Sequence, residues 1–344
     1  MLGGIAVINQ PIFFERNRVG RVYTGGKLFA GFFGDEPVDG YEPEEWIASG
    51  VRAINKELKS PKEGISKIKD SNLYFDELLQ LYPEELLGKG NTLRILVKGL
   101  DSAIRLPAQA HPDKEFSQKY FHSSYGKTEC WIILDTRPDA KIFFGFKDGV
   151  TREDFERAID QSEYDKDAME RLMLEITPKK GDVYFVPAKT IHAIGSGCLI
   201  LEIQEPTDFT IQPEHYCGEY KLSDQEMYMG LPREVAVSCF DFVKAPDAKL
   251  SPSISENGDG FLKETLVGPD HTDCFVINRI TLRGGRYLPK IGGHYAIYIL
   301  TDGEINLIGD GYARTVKKGE YFFMPAVLMG KFEFSGNAEI VECY

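Results

Sequence analysis

Apolar residues along the chain fall mostly into short runs that repeat every second position, punctuated by Gly, Pro and Asp. That period places alternate side chains on opposite faces of a strand and predicts a protein built from many short strands. In the first two-thirds the runs are LRILVKGLDSAIRLPAQAH, ECWIILDT, AKIFFGF, GDVYFVP and CLILEIQ. CFVINRITL, YAIYILTDGEINLI, EYFFMP and AEIVECY follow later, and the TDG inside the second of these predicts a hairpin turn. Helical patterning is rarer. PEEWIASGVRAINKEL begins acidic, NLYFDELLQLYPEELLG carries Leu and Phe at helical spacing before a glycine, and TREDFERAIDQ places Thr151 three residues ahead of Asp154 as a capping box.

A stretch rich in Pro, Ser, Gly and charge, about residues 243–260, reads as a linker. It divides the chain into a larger unit, 1–242, with helical insertions, and a smaller β-rich unit, 261–344. An internal echo supports the division: KKGDVYFVPA at 179–188 returns as KKGEYFFMPA at 317–326, 138 residues later. Repeated units imply repeated architecture, here two double-stranded jelly-roll barrels in a mainly β fold with a few accessory helices. The echo breaks at one place. His192 follows the first copy, and Gly330 stands at the same offset after the second.

Composition narrows the function. The 344 residues carry a net charge of −13, which argues against a nucleic-acid footprint. No apolar run reaches the length of about 18 residues needed to span a membrane, and no leader pattern opens the chain. The six cysteines are scattered without a CxxC pair, so neither a zinc ribbon nor a secreted disulfide scaffold is expected, and a cytoplasmic location is.

Candidate chemistry begins with LPAQAHPDKEF. Gln109 and His111 project to one side of a strand that Pro112 ends, and by themselves they fit a wet rim better than a metal site. Glu129 opens another strand two residues after Lys127, and His192 follows a third. Gln109, His111, Glu129 and His192 together offer two imidazoles, a carboxylate and an amide oxygen. Such a set suits one Zn²⁺ and accommodates Fe²⁺, Mn²⁺ or Co²⁺. TGGKLFAG lacks the spacing of a phosphate-binding P-loop. Trp46 reads as core rather than as a sugar stacker, and His122, His215, His271 and His294 as non-ligands.

The motifs TGGKLFAGFFG, EEWIAS, LVKGLD, LPAQAHPDKE, GKTECW, GFKDGV, KKGDVYFVPAKTIHAIGSG and LEIQEPTDFT, in this order, resemble the type I mannose-6-phosphate isomerases, zinc enzymes of the cupin superfamily. The resemblance implies zinc ligands at Gln109, His111, Glu129 and His192, and a proton-transfer role for Lys127 or Glu202. It implies interconversion of mannose 6-phosphate and fructose 6-phosphate through a cis-enediol, with a small sugar phosphate as the only partner and the oligomeric state left open. Gln212 stands at its substrate-contact position; Lys114, Lys127 and the Arg16–Arg21 and Lys27 region are phosphate-binding candidates by their proximity to the motifs. The chain departs from the pattern at Pro107, where the family often has serine, and at Gln212, where it has an arginine. Losing a guanidinium removes a charge and a forked donor. The sequence therefore predicts slow turnover unless another cation, such as Arg233, His215 or Lys221, has moved in. An isomerase of another, unphosphorylated sugar and a non-catalytic sugar-binding barrel are the alternative readings.

Overall fold

A computed structural model describes residues 8–243, 247–290 and 292–344. Residues 244–246 of the expected linker lie outside the described residues. The fold is mainly β, in two cupin-type barrels. The first has a seven-stranded antiparallel sheet in the order Arg18–Val19, Glu44–Ile47, Leu96–Ser102, Cys198–Gln204, Glu129–Thr136, Val183–Val186 and Lys249–Leu250. A three-stranded sheet of Met173–Ile176, Ile142–Phe146 and His192–Ile194 faces it. The second barrel orders Ser253–Gly258, Phe261–Val267, Ile277–Tyr287, Glu333–Cys343, Ala296–Gly309 and Tyr312–Lys317, with Tyr321–Met324 paired to Ala296–Gly309.

Alternation along the central strands decides what each face buries. On Cys198–Gln204, Leu199, Leu201 and Ile203 point into an apolar core shared between the barrels, whereas Cys198 and Ile200 point into the first barrel. On Glu129–Thr136, Cys130, Ile132 and Leu134 join the shared core, and Trp131 and Ile133 point inward. The second barrel does the same from the other side: Ile297, Ile299, Val341 and Cys343 face the shared core, while Tyr298, Leu300 and Ile340 face its own. Each fully buried Leu or Ile contributes about 1.5–3 kcal/mol, so this double-sided burial fixes the register. Phe322 enters the second barrel and Phe323 the shared core, and both are buried completely.

The register makes the internal echo explicit. In the first barrel Lys98, Glu202, Trp131 and Tyr184 form one row across four strands. In the second the row is Asn278, Glu342, Tyr298 and Phe322. One pair further along, Glu129 opposite Val186 is matched by Ala296 opposite Met324.

Three sequence expectations need correction. The 43–58 segment is not a helix: Glu44–Ile47 is a buried strand and 51–62 an irregular loop. TDG does not turn the chain; Ala296–Gly309 is one strand with an irregularity between Leu300 and Asp302. The expected linker also carries strands, since Lys249–Leu250 extends the first sheet and Ser253–Gly258 edges the second. The other helices form as read. NLYFDELLQLYPEELLG gives Phe75–Leu81 and Pro83–Leu87, split where proline starts the second helix. Arg152–Gln161 starts at a Thr151–Asp154 capping box.

Candidate active site

A cavity of about 890 Å³ opens into the first barrel. Its wall includes Arg21, Tyr23, Glu44, Lys98, Gln109, Lys127, Glu202, Asp208 and Gln212. Beside the wall residue Lys127, the side chains of His111, Glu129 and His192 converge, each buried, with candidate ligand atoms all within 4.8 Å of one another. The two imidazole Nε2 atoms are 3.1 Å apart, and His111 Nε2 lies 3.2 Å from Glu129 Oε2.

The backbone fixes what these nitrogens offer. His111 Nδ1 lies 2.9 Å from the Phe209 carbonyl oxygen, and His192 Nδ1 lies 2.9 Å from that of Thr190. A carbonyl oxygen only accepts, so both Nδ1 atoms donate and both Nε2 atoms present lone pairs. Burial first, then the neighbouring Lys127, depresses the His111 imidazole to about 3; burial also lowers His192. Two neutral rings thus aim lone pairs at one point beside a carboxylate. Glu129 Oε1 accepts from Trp131 Nε1 at 3.0 Å, while Oε2 is buried without a hydrogen-bond donor. Burial opposes ionisation of Glu129, but the adjacent Lys127 ammonium favours it, and the carboxyl lies well below its ordinary value.

These features fit a divalent cation. Converging lone pairs and an orphaned carboxylate oxygen are costly when buried, and a metal resolves both at once. Imidazoles whose far nitrogens donate to backbone carbonyls have the usual outer support of metal-binding histidines. Gln109 pairs with His192 through reciprocal 2.9 Å backbone hydrogen bonds, and its side chain lines the cavity next to the cluster.

Lys127 Nζ sits 3.0 Å from His111 Nε2, 3.6 Å from Glu129 Oε2 and 3.5 Å from Thr210 Oγ1. Burial lowers its ammonium below the ordinary lysine range. Glu202 is buried beside it and bound by Lys98 Nζ at 3.0 Å; burial raises its carboxyl despite that pairing. Lys98 also approaches Asp208 at 3.9 Å, and Asp208 accepts from Arg21 at 2.9 Å. Arg21 in turn reaches Glu44 at 3.0 Å, and Glu44 accepts from Tyr23 at 2.5 Å and from Trp46 Nε1 at 2.7 Å. Trp46 is wholly buried, as read from the sequence.

The wall residues Glu44, Lys98 and Asp208 were missed at the sequence level. Only Lys98 left a local signal there, a charge in the middle of the apolar run LRILVKGL.

Other candidates fall elsewhere. Lys114 points to the surface and pairs with Asp273 at 3.1 Å, outside the cavity wall. Arg16 donates to the Phe33 carbonyl and Arg18 pairs with Glu45, so of that region only Arg21 reaches the cavity. Lys27 is exposed and off the wall. Gln212 lines the cavity and donates to the Glu226 carbonyl at 3.3 Å. None of the three cations suggested as substitutes reaches the wall: Arg233 pairs with Asp160, His215 bonds Ser162 and Lys221 pairs with Glu163.

Among the described residues no helix is long and apolar enough to cross a membrane. The chain matches no protein-family model. It is 30% identical over 257 residues to the mannose-6-phosphate isomerase ManA of Bacillus subtilis, covering 74% of this chain and 75% of that one. It is 28% identical over 341 residues to a second Bacillus subtilis protein, "Probable mannose-6-phosphate isomerase GmuF", covering 97% and 99% of the two chains. The crystal structure of a mannose 6-phosphate isomerase from Bacillus subtilis superposes with a TM-score of 0.78 at 24% identity, covering 98% of this chain and all of that one, a likeness of fold.

Proposed function

Because this chain belongs to the mannose-6-phosphate isomerase family, we propose that it is an aldose–ketose isomerase that interconverts mannose 6-phosphate and fructose 6-phosphate through a cis-enediol. The observation that carries the reading is the convergence of His111, Glu129 and His192 next to a cavity whose wall presents Lys127 and Glu202. These two stand beside the place where a substrate's C1–C2 end would lie. We assign catalysis to the first barrel, within residues 1–242, and a supporting role to residues 261–344.

His111, Glu129 and His192, with Gln109, would hold one divalent metal, zinc by the donor set. That metal would polarise the substrate carbonyl and stabilise the charge that builds on oxygen as the proton leaves carbon. The protein supplies the rest. Lys127 Nζ is the mobile proton carrier, because it meets no carboxylate closer than Glu129 at 3.6 Å and faces the cavity. A base must take the C2 proton of the aldose and return it to C1, and a depressed amine suits that exchange near neutral pH. Glu202, tied to Lys98, orients the sugar hydroxyls by accepting from them.

The test is a coupled isomerase assay on metal-analysed protein with mannose 6-phosphate and with free mannose. The expected result is turnover of the phosphorylated sugar that a chelator abolishes and added Zn²⁺ restores. Failure to turn over any aldose with metal bound would overturn the proposal and favour a sugar-binding role.

A further inference from the structure

The cavity presents five cations: Arg21, Lys56, Lys59, Lys98 and Lys127. Three lie within and are already committed. Arg21 is divided between Glu44 at 3.0 Å, Asp208 at 2.9 Å and Asn55 at 2.8 Å. Lys98 is bound by Glu202, and Lys127 stands at the imidazoles. Arg21 and Lys98, matched to carboxylates in this way, have nothing spare for a dianion, and displacing either to serve a ligand would strand its partner, while Lys127 is taken up with proton transfer. Gln212 brings no charge, and its amide is spent on the Glu226 carbonyl. At the mouth, Lys59 pairs with Glu42. Lys56 has no ion-pair partner within 4 Å among the described residues.

The loop that carries Lys56 is fixed on both sides. Ile54 N–H donates to Asp208 Oδ2 at 2.8 Å, Asn55 Nδ2 donates to the Gly20 carbonyl at 3.0 Å, and Lys59 N–H donates to Glu63 Oε2 at 2.7 Å. The backbone on either side of the lysine is thus held at the rim by bonds to the cavity wall, with the exposed side chain free to reach a ligand. Two acids share that rim, Glu57 and Glu226. Glu226 accepts from Ser223 N–H at 2.9 Å and from the Tyr220 hydroxyl at 2.8 Å; these bonds, more than the weaker attraction of Lys56, answer its charge.

We propose that Lys56 is the phosphate-recognition residue of this cavity, so that a sugar phosphate binds with its reacting carbons at the His111–Glu129–His192 cluster and its phosphate at the mouth. This inference rests on the sugar-phosphate reading above and adds to it a specificity-determining residue. A charge-assisted contact to phosphate from a pre-positioned cation is short and strong, and it supplies binding without touching the reacting atoms.

The experiment uses Lys56→Ala and Lys56→Arg in the full chain, with two readouts. Steady-state kinetics on mannose 6-phosphate should show KM raised roughly tenfold by Lys56→Ala with kcat held, and largely recovered by Lys56→Arg. Calorimetric binding of a hexitol 6-phosphate, which cannot isomerise, should weaken by about the same factor, and less so at high ionic strength. Values of KM and affinity within twofold of the parent overturn the inference. A parent protein that turns over no mannose 6-phosphate defeats the isomerase reading instead, and the calorimetric arm then decides Lys56 by itself. Weaker binding by Lys56→Ala supports the role; equal binding, or no binding by the parent, overturns it.

Discussion

Lys98→Met tests the idea that the wall of the cavity is held by matched buried charge. Lys98 Nζ and Glu202 Oε1 are 3.0 Å apart, with side chains 3% and 5% exposed. Methionine preserves the apolar stem, and Asp208, the second partner of Lys98, keeps Arg21. Glu202 is left as a buried carboxylate with no cation on it, a change that costs about 3–5 kcal/mol in comparable sites. Protonation limits the loss. At pH 7 it costs about 1.36 kcal/mol for each of the roughly 2.7 pH units above an ordinary glutamate, or about 3.7 kcal/mol. Urea unfolding should therefore show Lys98→Met less stable by about 3–4 kcal/mol at pH 7. The sign of the pH dependence follows from the raised carboxyl. The folded variant holds a proton that the unfolded chain releases above about pH 4.3, so its stability falls as pH rises through that value and recovers as pH is lowered toward it. Lys98→Met with Glu202→Gln should restore most of the stability without restoring activity. A single variant within about 1 kcal/mol of the parent, or a deficit that does not change between pH 7 and pH 4.5, would refute the argument.

His111→Ala and His192→Ala should each remove bound metal and activity together; metal analysis showing full occupancy in either would count against the cluster as ligands. Gln212→Arg alone should change kcat/KM on mannose 6-phosphate by less than about threefold, because Lys56 already supplies a cation at the mouth, whereas in a Lys56→Ala background it should raise it; a large gain in the parent would mean that no other cation had taken the role. Phe323→Ala opens a hole in the core shared by both barrels, between Phe75 at 5.0 Å and Tyr295 at 5.2 Å, and should cost about 3–5 kcal/mol in chemical unfolding. Phe322→Ala should cost a similar amount but leave metal content unchanged, since that ring lies within the second barrel.

What the sequence revealed was what depends on local pattern. Period-two alternation located the central strands, the Thr151–Asp154 spacing located a helix start, and the echoed KKG motif located the second barrel. The errors have one physical source, which is that the deciding partner lies far along the chain. Glu44 and Glu45 look like the acidic first turn of a helix. In fact they stand on opposite faces of a buried strand, Glu44 bound by Arg21 and Tyr23, Glu45 by Arg18 and Tyr321, 276 residues away. Gly303 looks like a turn residue for a similar reason. Its φ is +71°, and a Cβ there would lie 2.0 Å from the Asn337 carbonyl oxygen. The glycine is required by a neighbouring strand's backbone, which a local reading cannot see.

The same register that hid these partners explains why one barrel opens on a cavity lined by charge and the other is filled. Glu202 and Glu342 occupy equivalent rows, and each is a buried carboxylate on the middle strand of its sheet. Glu342 is fully answered from within: Tyr298 donates at 2.8 Å, Asn278 at 2.9 Å, and Lys263 pairs with it. The space in front of it is filled by Phe322, Phe334 and Tyr298, packed at ring separations of 4.9 to 5.8 Å. Glu202 faces a cavity instead, with Trp131 in place of Tyr298 and Lys98 in place of Asn278. At the next position Glu129 leaves a carboxylate oxygen without a donor, where the second barrel has Ala296. A buried polar group that its own fold satisfies adds rigidity; one left open toward a cavity is stable only with a ligand or metal to complete it. The two barrels share a scaffold, and the difference in chemistry follows from which of these two conditions their central carboxylates meet.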